Sequence, residues 1–169
     1  MGDTRRLKKK YAKPKKLWNK VQIEEERKII KKYGLKNKME IWRAISHVGK
    51  IRAQAKKLIT QSPEAQEKFL EKLEKQGLIK SKNIETVLEM KTEDILARRL
   101  QTIVTKKFNL RPLQARQAIT HGKVLVETKK INKPSYFVDL NIEKNISLLN
   151  QKSMKNPNEK ILTQDKVSE

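Results

Sequence analysis

Residues 95–126 read ILARRLQTIVTKKFNLRPLQARQAITHGKVLV, and the spacing of their apolar positions decides the fold. Leu96, Leu100, Ile103 and Val104 fall within one narrow face at helical spacing, so one helix is predicted from Thr92 onward. Thr92 is its expected N-cap, and Glu93 and Asp94 bring negative charge to the positive end of the helix dipole. Arg98, Arg99, Thr102 and Lys106 lie on the flank and back of that helix. Arg111-Pro112 opens a second, shorter helix with Ala115, Ala118 and Ile119 on one side and Arg116, Gln117 and Thr120 on the other. Gly122 suits the left-handed turn that stops a helix and leaves His121 at the C-terminal end. Val124, Leu125 and Val126 read as a strand, Glu127-Thr128-Lys129-Lys130 as a polar turn, and 131–138 as a return strand that Pro134 confines to an edge or bulge. The expected unit is helix, tight turn, second helix and β-hairpin, with arginines, glutamines and a histidine directed away from a small apolar core.

Ahead of this segment the pattern is helical. From about Ile23 a helix runs to Gly34, with Glu24 four residues before Lys28 and the glycine placed for a left-handed C-cap. Asn37 and Glu40 have the spacing of a capping box, and Ile41, Ile45, Val48, Ala55 and Ile59 recur behind them as the expected core stripe. Trp42 lies to one side, and His47 reads as structural or solvent-facing. Ser62-Pro63 starts a third helix, Phe69, Leu70 and Leu73 supply its apolar side, and Gly77 ends it. Residues 78–91 are expected to be a connector held down by Ile84, Val87 and Leu88. After Ile142 the chain turns polar and Asn-rich, and an extended tail ordered only against a partner is predicted there.

Residues 1–20 form a basic arm in which Arg5, Arg6, Lys8, Lys9 and Lys10 stand with Lys13, Lys15, Lys16 and Lys20 against the single Asp3. Tyr11 and Trp18 interleave stacking faces with these phosphate-binding charges, a pattern suited to RNA; a solvated tail or a nuclear-import-like run is the alternative. The whole chain of 169 residues carries 41 Lys+Arg against 19 Asp+Glu, a formal net charge of +22. Self-repulsion at that level opposes compactness, and a large polyanion is the simplest partner that relieves it.

Composition also excludes. Without cysteine there is no disulfide, thiolate zinc site or Cys nucleophile. No run of about 18 apolar residues is present to span a bilayer, and the basic start lacks the apolar stretch of a secretory signal, so a soluble intracellular protein is expected. The two histidines are far apart, the five glycines form no phosphate-cradling loop, and HExxH and GxSxG are absent, which argues against an enzyme.

The stretch at 95–126 together with INKPSYFV at 131–138 resembles the small RNA-binding domain of the small-subunit ribosomal protein four family, here S-four, in its archaeal and eukaryotic branch. MGDTRRLKKKY at 1–11, IEEERKIIKKYGLKNKMEIWRA at 23–44 and KIRAQAKKL at 50–58 are similar to the rest of that protein, so the resemblance covers roughly residues 1–140. It implies binding to small-subunit ribosomal RNA near a multi-helix junction, early in assembly, beside neighbouring small-subunit proteins, with a contribution to translational accuracy. It further implies that Arg98, Arg99, Arg111, Gln114, Arg116, Gln117, His121 and Lys123 face the RNA; Lys106, Thr120, Lys129 and Lys130 of the same segment are candidate contacts by their own polarity and position. For His121, a structural place at the helix terminus is the other reading. Arginine suits such a site because its planar guanidinium bridges phosphate oxygens or stacks on a base, and Gln amides can address a 2′-hydroxyl.

The expected architecture is α+β: an arm at 1–20, a helical domain at 21–91, an S-four-type module at 92–142 and a polar tail at 143–169. No cofactor, metal, membrane or small-molecule substrate is expected, and the place of action is the cytoplasmic ribosome. The rivals are a small nucleolar RNA-binding assembly factor of pre-ribosomes and an RNA-modifying or tRNA-charging enzyme that uses the same module. The second would need a large catalytic domain, and only about 90 mainly helical, basic residues precede the module.

Overall fold

A computed structural model describes residues 11–16 and 18–149, so Arg5, Arg6, Lys8, Lys9 and Lys10 of the arm and the tail from 150 onward lie outside the described residues. The described chain is α+β, with helices and one small antiparallel sheet, and it divides into two compact units between Ala97 and Arg98.

The first unit is helical. α1 spans Lys20–Tyr33, α2 Lys38–Leu58, α3 Pro63–Lys75, α4 Ile84–Glu89 and α5 Thr92–Ala97. α2 is the axis on which the other four pack. Its buried stripe is Ile41, Ala44, Val48, Ile51, Ala55 and Leu58, stepping three and four residues in turn. The expected stripe is corrected at two positions, because Ile45 and Ile59 are 47% and 51% exposed. Ile45 lies about 40° past Ile41, on the far side from the rest of the stripe, and Ile59 is the C-cap residue beyond the last turn of α2. The expected connector at 78–91 holds α4, whose Val87 is buried together with Ile79 and Met90.

Capping also differs from expectation. α2 does begin after Asn37, yet Asn37 makes no side-chain cap bond, and the Glu40 carboxylate accepts the Lys36 N–H at 3.4 Å. Thr92 is the first residue of α5 rather than its cap; the Asp94 carboxylate accepts the Lys91 N–H at 2.7 Å. Glu26 is the buried charge of this unit. Trp42 Nε1 donates to it at 3.0 Å, Gln22 Nε2 donates at 3.3 Å, and Lys38 Nζ lies 3.2 Å away, so its desolvation is offset by paired groups. Lys32 Nζ meets Glu93 at 2.6 Å, and this hydrogen bond holds the Glu93 carboxyl below its ordinary range.

The second unit contains α6 Leu100–Lys107, α7 Pro112–Thr120, β1 Val124–Val126, β2 Lys129–Lys130, α8 Leu140–Glu143 and β3 Ile146–Leu148. The predicted continuous helix from Thr92 is broken at Arg98-Arg99, where Arg99 is extended at φ −75° and ψ 144°. The physical reason lies in the stretch 131–138. Leu100 N–H donates to the Tyr136 carbonyl at 2.8 Å, Gln101 N–H to Pro134 at 3.3 Å, and Val138 N–H to the Arg98 carbonyl at 3.0 Å. Tertiary carbonyls thus satisfy donors that the start of a helix leaves orphaned.

That same stretch is therefore not the return strand of a hairpin. β2 begins at Lys129, pairing Val126 with Lys129 and Leu125 with Lys130, and the turn is Glu127-Thr128 alone, with Glu127 at φ 57°. The sheet runs β2-β1-β3, and its third strand comes from the segment expected to be a tail. Leu100, Ile103, Val104, Ala115, Ala118, Ile119, Val124, Val126, Val138 and Ile146 form one buried cluster, with Phe108, Leu110, Ile131, Ile142 and Leu148 packed against it. Each fully buried large aliphatic side chain contributes about 1.5–3 kcal/mol from removal of its surface from water.

α7 ends at a Schellman turn, in which Lys123 N–H donates to the Ala118 carbonyl at 2.9 Å and Gly122 sits at φ 66°. α6 stops in the same way, with Asn109 at φ 50° and Leu110 N–H on Thr105 at 3.2 Å. A Cβ at Gly122 would lie 3.3 Å from Asn132 Oδ1 and would occupy the left-handed region. Gly122→Ala is expected to destabilise the second unit by about 1–2 kcal/mol, read as a lower midpoint in chemical denaturation.

Candidate nucleic-acid interface

α7 is amphipathic around its short axis. Ala115, Ala118 and Ile119 are buried, which turns Leu113, Arg116, Gln117 and Thr120 outward. Arg111 precedes the helix as N-cap and is exposed; its N–H donates to Gln114 Oε1 at 3.2 Å. That bond uses the Gln114 carbonyl as a cap and leaves its amide NH₂ as a donor. Arg116 is half-buried, with Nη1 donating to Gln101 Oε1 at 3.3 Å, and Gln101 Nε2 in turn donates to the Pro112 carbonyl at 2.9 Å. Gln101 is 1% exposed. This buried amide ties α6 to the start of α7 and steadies one arginine of the outward face. A lone Gln inside a helix gives no sequence signal of that role.

Gln117 and Thr120 are exposed, and Thr120 Oγ1 donates back to the Arg116 and Gln117 carbonyls at 3.1 and 3.0 Å. The Gly122 turn then carries the chain from His121, which is exposed, to half-buried Lys123 at the foot of β1. Lys129 and Lys130 are exposed on β2, the edge strand hydrogen-bonded to β1. The structure therefore joins Arg111, Arg116, Gln117, Thr120, His121 and Lys123 through one helix and its stop, and sets Lys129 and Lys130 on the adjoining sheet edge. Between 111 and 130 the only acidic residue is Glu127. Among the described residues no ion pair engages Arg111, Lys123, Lys129 or Lys130, so their charge is uncompensated within the unit.

Three predicted placements are corrected. Arg99 is 6% exposed and Thr102 9%, both on the inside rather than the back of a helix. The Arg98 side chain is 12% exposed and clasped: Nε and Nη2 donate to the Val138 carbonyl at 3.2 and 2.8 Å, and Nη1 meets Glu143 at 2.7 Å. The break at Arg98-Arg99 turns these side chains away from the positions a continuous helix would give them. Lys106 is exposed, in a groove lined also by Ile103, Lys107, Leu140 and Lys144. Lys107 donates to the Glu143 and Lys144 carbonyls at 3.2 and 2.9 Å, satisfying the end of α8.

This geometry can hold anions and planar groups; it offers no assembled nucleophile or base, and no His, Cys, Asp or Glu cluster of metal-binding form exists among the described residues. Among the same residues no helix is long and apolar enough to cross a membrane.

The S4 domain family matches residues 98–141, a span that starts where the second compact unit starts. Similarity to curated proteins extends much further. The chain is 42% identical over 156 residues to small ribosomal subunit protein uS4 of Methanococcus aeolicus, covering 88% of each chain. It is 38% identical over 158 residues to the Pyrobaculum islandicum protein of the same name, covering 88% of this chain and 99% of that one. The Thermoplasma volcanium uS4 protein is 40% identical over 156 residues, which is 87% of this chain and 78% of the relative.

Proposed function

Because the chain belongs to the uS4 family of small ribosomal subunit proteins, we propose that its second unit grips small-subunit ribosomal RNA through the outward face of α7 and the adjoining edge of the sheet. The chain is a structural constituent of the small subunit in the cytoplasm and not an enzyme. The observation that carries the RNA-binding surface is its charge: Arg111, Lys123, Lys129 and Lys130 are held on a hydrogen-bonded frame with no carboxylate partner among the described residues. Such a frame matches the spaced phosphates of a folded RNA backbone, so recognition is mainly of shape, with Gln114 and Gln117 placed to address 2′-hydroxyls.

Arg116, Thr120, His121 and Lys106 complete the contact set, and the arm at 1–20 extends it along the RNA. Arg98 and Arg99 act from behind, by shaping the unit. In this reading the protein binds ribosomal RNA directly, helps nucleate assembly of the subunit and contributes to translational accuracy through its neighbours there.

Sucrose-gradient fractionation of cells tests the assignment. The protein is expected to sediment with mature small subunits and with translating ribosomes. Recovery only in precursor particles would favour the small nucleolar RNA-binding assembly factor instead.

A further inference from the structure

The two aromatic residues of the basic arm have different fates. Tyr11 is spent on the protein: its ring lies 6.1 Å from that of Trp42, its hydroxyl donates to Met39 Sδ at 3.2 Å, and the Arg43 guanidinium sits over its ring at 5.8 Å. Beside it the Ala12 N–H donates to Ser46 Oγ at 3.2 Å, so the start of the described arm is fastened along α2. Trp18 is left 90% exposed immediately before α1. An indole in water buries none of its large apolar face, which makes this degree of exposure costly unless a partner covers it.

The surroundings of Trp18 narrow that partner. Lys15, Lys16 and Asn19 bound an open depression with it, and Lys13 and Lys20 are exposed nearby in sequence. No acidic residue occurs from Thr4 to Ile23. A flat π-face bordered by the Lys15 and Lys16 ammonium groups, which make no ion pair among the described residues, fits a nucleotide, which presents a base to stack and a phosphate to neutralise.

We propose that Trp18 is a base-stacking platform for an unpaired nucleotide of the small-subunit ribosomal RNA, with Tyr11 as the anchor that fixes the arm carrying it. This rests on the reading of the chain as a ribosomal RNA binder and adds a second, aromatic contact distinct from the α7 surface. Lys15 and Lys16 take the flanking phosphates. Stacking tolerates any base, so the platform selects an extruded nucleotide and not a sequence.

The test uses the full chain and purified small-subunit ribosomal RNA. Trp18→Phe subtracts one indole, and the difference spectrum against the unaltered chain isolates Trp18 from Trp42, the other tryptophan. On binding RNA the Trp18 emission is expected to be quenched and shielded from acrylamide. Trp18→Ala is expected to weaken binding about tenfold with an unchanged salt slope, while Trp18→Phe keeps most of the affinity. RNA binding with Trp18 emission and affinity unaltered would overturn the platform and leave the α7 surface standing. A Trp18 response only when other small-subunit proteins are added would overturn it in favour of a protein contact. Loss of RNA binding by the unaltered chain would sink both proposals.

Discussion

Arg98→Ala is expected to destabilise the second unit by about 2–3 kcal/mol, because a charged donor to a fully buried carbonyl is removed. Val138, whose carbonyl takes two of the Arg98 hydrogen bonds, is 0% exposed, so the substitution strips both bonds from a carbonyl beside the buried cluster. The Glu143 partner is 39% exposed and contributes less, so Glu143→Gln should lose only a fraction of that amount. Tryptophan emission would miss the effect, since Trp18 and Trp42 both lie in the first unit. Amide hydrogen exchange at Val124–Val126 and Leu148 reads it directly, and unchanged protection there in the Arg98→Ala chain would refute the clasp. Under conditions where the variant stays folded, its RNA affinity should keep the same dependence on salt. A slope lower by about one would instead mark Arg98 as a phosphate contact.

The opposite signature is expected from the exposed cations. Arg111→Gln, Lys123→Gln, Lys129→Gln and Lys130→Gln combined should leave stability nearly unchanged, since none of the four makes an ion pair among the described residues. Affinity for small-subunit ribosomal RNA should fall by on the order of 100-fold, and the slope of log K against log salt should lose about 3 to 4. Filter binding from low to moderate salt measures both. An unaltered slope would remove the α7 surface from the interface.

Periodicity made much of this chain legible before any coordinates. Gly34, Gly77 and Gly122 each lie at the end of the helix they were expected to stop, and all have positive φ. Arg111-Pro112 opens α7, and its buried and outward sides fall as its three-residue and four-residue spacings require. What periodicity could not show was anything decided by distant backbone. The interruption at Arg98-Arg99 depends on carbonyls from Pro134 and Tyr136, more than thirty residues further along, and local spacing carries no trace of them. Ile146 and Leu148 form too short an alternation to stand out from an Asn-rich stretch, yet pairing with β1 makes them a strand. The candidate site was legible where it depended on one helix and its stop. The outward placement expected for Arg98, Arg99 and Thr102 fails, because these side chains follow the non-local interruption.

The order of strands in the sheet has a consequence for how the protein is made. A nascent chain leaves the exit tunnel from its amino end, so β1 emerges long before β3 and has only the two-residue β2 beside it in the meantime. A piece cut at 141, where the S4 match stops, would freeze the module at that unfinished stage, with the edge of Val124–Val126 open.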